Sequence, residues 1–567
     1  SVPGGTATPT GKRGGAPTTV VSGGREHNWE IWWTYNREWY LASRLRGTPV
    51  SGGAVMRDAN GALHRKKLRE TVLRDILLEA LDDSYHDVRS AAAVALGKFG
   101  DPEFNRRLRR RIDVPREKWW TVHEAVVYGM SALALPGNRG LMTTQAGDKQ
   151  RPIPLRSLAL TSLMCDGTKD SLAVLLWHLR YHRSSMRFKA SQSPTVSEED
   201  RRRFAAHLLG FVDRKFDVDD TLFSVALGSR RWTEATQGLA ITALGRRRAR
   251  TYKDQLFRIM DRREVPLAVR QSIPIALAGL VRSEETRDVE RLARFIRDER
   301  RRPAVRHFAT MALARIGGER SVEILQDYLR RNVFNVDDDR AFAYLALGLL
   351  GGRSKEARDT LMLAYEKPQT PSLRSALAIA LGLARHNPAV ALTSKYLKKT
   401  SIGGSGRPVR QGGASRTGTG TGADVLAYGT LALGLHGDES AVPAVERALT
   451  RYRDPKIQGN AAVALVLLQR SGAIRTLKPI LEENGNAVTR GSIIMALGLV
   501  PQASDELVQV LRRQYKLDRN PASVRAMAVI GLGAIGDPRA VPLSVQLVRH
   551  YNYLIRCQAL DVIASLL

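Results

Sequence analysis

Cysteine is nearly absent from the chain: Cys165 and Cys557 are the only two among 567 residues. Two cysteines so far apart exclude a disulfide-dense scaffold and a zinc module, and they say nothing about redox compartment. Aromatic residues are also sparse, at 6% against 43% for all apolar types, so a folded interior must be filled by Ala, Leu and Val. Small side chains of that kind suit helices that approach one another closely. Long apolar runs are missing too, since a stretch such as Ala462 to Leu468 is typical of the longest, far short of the roughly 18 to 20 residues that span a bilayer. Acidic residues are in deficit: 56 Asp and Glu stand against 88 Lys and Arg, a formal net charge of +32. Such a field draws polyanions or acidic proteins at long range without specifying which.

What the chain does have is repetition. A length of 567 residues exceeds what one compact core supports, so several domains or a repeat array are expected. VRSAAAVALGKFGDP from Val88, VRHFATMALARIGGE from Val305, LRSALAIALGLARHNP from Leu373 and VRAMAVIGLGAIGDP from Val524 are variants of one phrase. Its marker leucines are Leu209, Leu244, Leu277, Leu313, Leu347 and Leu381, then Leu433, Leu465, Leu497 and Leu532, with Leu96, Leu133 and Leu160 extending the series less regularly. Steps of about 32 to 36 residues fit a helix, a turn and an antiparallel helix. About thirteen such units are expected, with a last helix near 554–567 closing the stack. In each unit the Ala-rich second helix is the inner one, and Pro266, Pro303, Pro371, Pro455 and Pro521 stand where a proline starts a helix at no cost.

The organisation follows. Residues 1–24 form a Gly/Pro/Thr-rich leader too poor in apolar side chains to fold. Residues 25–64 hold a Trp-rich capping helix and linker, in which Trp29, Trp32, Trp33, Asn36 and Tyr40 share one helical face. Residues 65–567 form the solenoid, with loop insertions near 183–199 and 401–424.

The phrase of Pro, Val-Arg, Ala-x-x-Ala-Leu-Gly and Gly-Asp closely resembles the HEAT-repeat family, including bacterial forms described as phycobilin-lyase-like repeats. The resemblance covers roughly residues 65–567 and implies an all-α, armadillo-type α-solenoid with a right-handed superhelix. It also implies that the Arg after Val ladders neighbouring units, which places Arg89, Arg270, Arg306, Arg374 and Arg525 at inter-repeat turns; Gln458 departs from the pattern. The opening WEIWWTYNREWYL resembles the start of large exported bacterial HEAT-repeat proteins, which implies a periplasmic or envelope setting. A cap over the first repeat is the expected role of its tryptophans, and docking of a partner is the alternative for Trp29, Trp32, Trp33 and Trp39.

Catalytic, metal and cofactor constellations are not found. GTATPTGKR lacks the spacing and the Ser or Thr of a phosphate loop, and His123-Glu124 lacks the second histidine of a zinc-protease motif, Val127 standing in its place. His178 and His182 are one helical turn apart with no third ligand evident. The function expected is a noncatalytic scaffold holding another protein, acidic or extended, within a larger assembly. The alternative is a polyanion binder, for nucleic acid or an anionic envelope polymer, using basic runs that include Arg106, Arg107, Arg109 and Arg110, the Arg201 to Arg203 run, Arg246 to Arg248, and Arg300 and Arg301.

Overall fold

The computed structural model describes Trp29, Glu30, Trp33 and residues 69–536, apart from 113–116, 134, 149, 181–195, 229–231, 263, 298–302, 332–336, 368, 400–421 and 501–503. Among the described residues the chain is helical, without strands. Helices alternate between an outer and an inner layer, and the inner ones are α1 (His86–Phe99), α2 (Trp120–Leu133), α3 (Ile153–Asp166), α4 (Val196–Leu209), α5 (Glu234–Arg247), α6 (Leu267–Leu280), α7 (Pro303–Ile316), α8 (Asp337–Gly351), α9 (Pro371–Ala384), α10 (Gly422–His436), α11 (Pro455–Gln469), α12 (Ala487–Leu497) and α13 (Ala522–Gly536). Each packs against the outer helix before it and against the inner helices on either side.

The two layers differ because their burial differs. The outer helix Thr286–Arg297 buries Val289, Leu292, Ala293 and Ile296 and leaves Arg287 and Arg294 exposed, the one-sided spacing of a surface helix. In α8 every residue from Ala341 to Gly348 is buried. A helix enclosed on nearly all sides has room only for small residues where backbones meet. A Cβ on Gly348 would lie 2.6 Å from the Cα of Ala380 in α9, and one on Gly434 2.5 Å from the Cα of Ala464 in α11. Any side chain there would push two backbones apart.

Local chemistry sets the ends. Thr233, Thr370, Asp454 and Asn486 each accept a backbone N–H in the first turn of α5, α9, α11 and α12. Gly100 and Gly167 end α1 and α3 in the left-handed conformation, at φ 79° and 64°. Pro371 and Pro455 open α9 and α11 as expected.

The stack closes on itself. Helix α13 packs along α1 as one inner helix packs along the next, and a Cβ on Gly533 would collide with Ala95. Across this seam the Arg525 guanidinium donates to Asp83 Oδ2 at 2.8 Å and the Tyr515 hydroxyl donates to the same oxygen at 3.3 Å. Lys516 pairs with Glu79. Among the described residues the thirteen inner helices therefore form a ring, the last packed on the first.

Two boundaries need correction. The first turns of α4 and α10 begin at Val196 and Gly422, so the tails of the expected insertions, 196–199 and 422–424, are helical. The rest of both insertions, the leader and the expected closing helix at 554–567 lie outside the described residues.

Candidate partner-binding surfaces

Trp29 packs on α9 and α10 rather than on the first repeat. Trp29 and Trp33 are fully buried, and the Trp29 indole N–H donates to Ser372 Oγ in α9 at 2.9 Å. Its ring stands 5.2 Å from that of Tyr428 in α10. The physical reason is the seam: α13 already covers the flank of α1 that a cap would have protected. Trp29 and Trp33 are thus held inside the molecule rather than offered to a partner, while Trp32 and Trp39 lie outside the described residues.

The five arginines expected to ladder make different contacts. Arg89 grips Glu117 with two bonds of 2.9 and 3.0 Å and also donates to the carbonyls of Asp83 and Ser84. Burial is the largest single influence and would raise the Glu117 carboxyl, but the hydrogen bonds from Arg89 and the Trp119 backbone N–H, with the charges of Arg89 and His123, together hold the group below its usual range. Arg306 donates to Asp339 of the next inner helix at 2.8 Å, with His307 on the other carboxylate oxygen, also at 2.8 Å. Arg525 makes the equivalent rung across the seam. Asp83 and Glu117 each stand three residues ahead of α1 and α2, so the two rungs match. Arg270 instead holds its own turn through the Val265 carbonyl, and Arg374 lies 4.4 Å over the ring of Tyr396. At the departing position, Gln458 donates to the Leu449 carbonyl and accepts from Thr489 Oγ1, a neutral substitute.

The basic runs do not act alike. Arg106, Arg107, Arg109 and Arg110 are exposed on the outer helix Phe104–Ile112. Arg247 contradicts its assignment as a partner contact: its side chain is 2% exposed, pairs with Asp219 and donates to the carbonyls of Val212 and Phe216. From the end of α5 it clamps the turn between α4 and the outer helix Asp219–Leu227, which needs a long cation facing inward. Arg246 lies 3.9 Å over the Phe211 ring, and exposed Arg248 caps α5 with φ 56°. Arg201 is buried against His178, whose imidazole is pushed down to about 4 by burial and then by Arg201 and Arg156. Arg300 and Arg301, like His182, lie outside the described residues.

Sequence reasoning missed the most open aromatic surface. Tyr85, Trp119 and Trp120 are 51%, 52% and 44% exposed. They stand at the N-terminal ends of α1 and α2, on one edge of the ring. His86 stacks on Trp119 at 4.0 Å, Arg525 lies 5.1 Å over Tyr85 and Arg151 lies 5.3 Å over Trp120. The band crosses the seam and continues toward α3. Its guanidinia are already matched, Arg525 by Asp83 and Arg151 by Asp148. In α2 Glu124 is buried, and burial raises its carboxyl to about 7. The available signal was a Trp-Trp doublet at the start of an inner helix, ahead of its Ala-rich run.

Paired helices in register, an Ala- and Gly-rich inner layer and an Arg ladder define an α-solenoid repeat protein. Parts of the stack match known repeat models: that described as HEAT repeats matches residues 423–498, and that described as PBS lyase HEAT-like repeat matches 305–331 and 524–543. Among curated proteins, none matches the chain. Among solved structures, human deoxyhypusine hydroxylase in complex with glycerol is 19% identical over 53% of this chain and 96% of its own, with a TM-score of 0.22. The CpcE–CpcF complex of phycocyanin lyase from Nostoc sp. PCC7120 is 19% identical over 43% and 93%, with a TM-score of 0.29. Kap121p is 13% identical over 87% and 56%, with a TM-score of 0.36. Likenesses this distant carry no activity or partner across.

Among the described residues no helix is long and apolar enough to cross a membrane.

Proposed function

We propose that the chain is a noncatalytic HEAT-repeat scaffold that binds another protein, as one component of a larger assembly, through the band of Tyr85, Trp119 and Trp120. The observation that carries this reading is the half-exposure of three large rings side by side. Trp, Tyr and Arg are the residues on which protein interfaces concentrate their energy. A phosphate-tracking surface needs free cations, whereas two guanidinia of this band are tied to carboxylates, which favours a protein face over a polyanion. The net charge of +32 then serves encounter, gathering an acidic or extended partner that the rings hold. The resemblance of the opening segment to exported bacterial proteins supports an envelope setting.

The test is photocrosslinking from position 118, beside the two tryptophans, followed by identification of the captured protein and titration of the purified pair. Trp119→Ala with Trp120→Ala should leave thermal unfolding in place and weaken binding at least about tenfold. Unchanged affinity would refute the band. Retention of nucleic acid or an anionic polymer alone, lost steeply between 50 and 200 mM salt, would establish the polyanion reading instead.

A further inference from the structure

Outer helices of the ring are tied to their neighbours by side chains. Arg291 of Thr286–Arg297 pairs back with Asp261 at 3.4 Å, Arg297 pairs forward with Asp327 at 3.2 Å, and Arg513 pairs with Glu482 at 2.8 Å. The outer helices Pro388–Lys399 and Val442–Arg451 each keep such a tie on their far flanks. The Tyr396 hydroxyl donates to the Tyr365 carbonyl at 3.3 Å, and Glu446 accepts from Thr476 Oγ1 at 3.0 Å. On the flanks that face each other, these two helices instead bound a cleft of about 640 Å3, a size usual for ligand clefts. Asn387, Ser394, Lys395 and Lys398 line one wall, and Asp438, Ser440 and Arg447 the other. Lys395, Lys398 and Arg447 are exposed, and among the described residues none of the three has a carboxylate within ion-pair reach. The one acid of the cleft, Asp438, is engaged locally, its Oδ1 accepting the Ser440 backbone N–H at 2.9 Å. By sequence, residues 400–421, which join the two units, add Arg407, Arg410 and Arg416 and no Asp or Glu. The chain therefore supplies no counter-charge from that connection.

We propose that this cleft binds an acidic, extended segment of a partner protein. The inference rests on the scaffold reading for the class of partner and adds a second surface, distinct in place and chemistry from the aromatic band. Cations on both walls with no acid to answer them are complementary to carboxylates spaced along one chain. The length fits as well: a helix rises about 16 Å from Asn387 to Lys398, which an extended strand covers in about five residues. Asn387 and Ser440 offer side-chain donors for the carbonyls of such a strand. Nucleic acid is the poorer match. Three cations meet at most about three phosphates, and no aromatic residue lines the cleft for a base to stack on.

The probe is a fluorescein-labelled hexaglutamate peptide, titrated by anisotropy against the full-length protein at 50 mM salt, with hexaserine and single-stranded hexathymidylate for comparison. The parent should bind the glutamate peptide and not the serine one. Lys395→Gln, Lys398→Gln and Arg447→Gln together should weaken binding at least about tenfold, the product of three exposed ion pairs. Arg258→Gln, Arg353→Gln and Arg512→Gln together remove the same charge from exposed positions elsewhere and should change affinity by less than about twofold. All six side chains are exposed, so both triple variants should melt with the parent. No binding by the parent overturns the proposal. Equal losses in the two triple variants overturn it too, because the peptide then feels only the net charge of the chain. Hexathymidylate bound more tightly than the peptide, and lost in the cleft variant, overturns the protein partner in favour of nucleic acid. The Trp119→Ala, Trp120→Ala protein should bind the peptide as the parent does. Failure of the cleft while those tryptophans still hold a protein partner would sink the cleft alone. A cleft that behaves as stated while no protein is captured at the band would sink the band and leave the cleft.

Discussion

Gly533→Leu should open the ring. A Cβ at that position collides with Ala95 of α1, and the obstacle is backbone and a methyl group rather than the end of a flexible side chain. Overpacking of that kind costs about 1 to 3 kcal/mol, and the upper value applies where neither backbone can retreat. The seam has limited means to resist. Lys516–Glu79 is an exposed pair and contributes at most about 1 kcal/mol, which leaves Asp83, with its bonds from Arg525 and Tyr515, as the main polar tie. A cost of about 3 kcal/mol shifts the balance of closed and open forms by about 150-fold. The Lys516–Glu79 contact supplies the assay, because a carbodiimide joins an amine to a carboxylate only where they touch. The parent should give a peptide pair linking residues 437 positions apart, and Gly533→Leu should lose most of it. Gly434→Leu is the control: it makes a similar collision with Ala464, but both neighbours remain joined through the chain, so melting should fall while the crosslink persists. Equal crosslink yield in Gly533→Leu and parent would refute the closed ring. Equal loss in both variants would show that the crosslink reports general unfolding.

Three further outcomes are expected. Burial raises Glu124 to about 7 from 4.5, so its contribution is fully present below pH 4.5 and lost as pH rises through 7; Glu124→Gln should gain about 3 kcal/mol at pH 8 relative to the parent and flatten that part of the profile, read by urea unfolding across pH. His436 is pushed down to about 4, chiefly by burial, so it folds neutral and opposes folding as pH falls from 6.5 to 4; His436→Gln should reduce the loss of melting temperature over that window. Arg247→Met should cost about 3 kcal/mol by leaving Asp219 and two carbonyls without their donor, whereas Arg106→Met with Arg109→Met should stay within about 0.5 kcal/mol, both by thermal or chemical unfolding.

The fold was legible because burial imposes a composition. Leu96, Leu244, Leu347 and Leu465 mark the Ala-rich phrase, and each falls on an inner helix with no exposed surface. The rungs at Arg89 and Arg306 were legible for a related reason, since a cation repeated at one place in a repeat meets its neighbour's turn every time. Closure was not legible. Gly533 closes a Leu-Gly pair like those of Gly97, Gly245 and Gly348, and whether it meets a fourteenth unit or the first depends on small rotations summed around the stack. The clue was Asp83, which stands where Glu117 stands one unit later and so offers a rung to a predecessor. The Trp29 segment showed its helical face but not its destination, because a face says what must be covered and not by what. Arg247 was misread because a run of three arginines looks alike in sequence, whereas one residue turns inward at each step around the helix.

A ring made of like units has a fixed membership. Thirteen units sharing one full turn leave about 28° to each, and a duplication or loss of a single unit would miss the first helix by that angle. Open arrays can lengthen one repeat at a time; this one cannot without being retuned everywhere. Variation is therefore confined to the connections between helices, and the two places where the period is stretched, 183–199 and 401–424, are where such a protein can change without breaking its own circle.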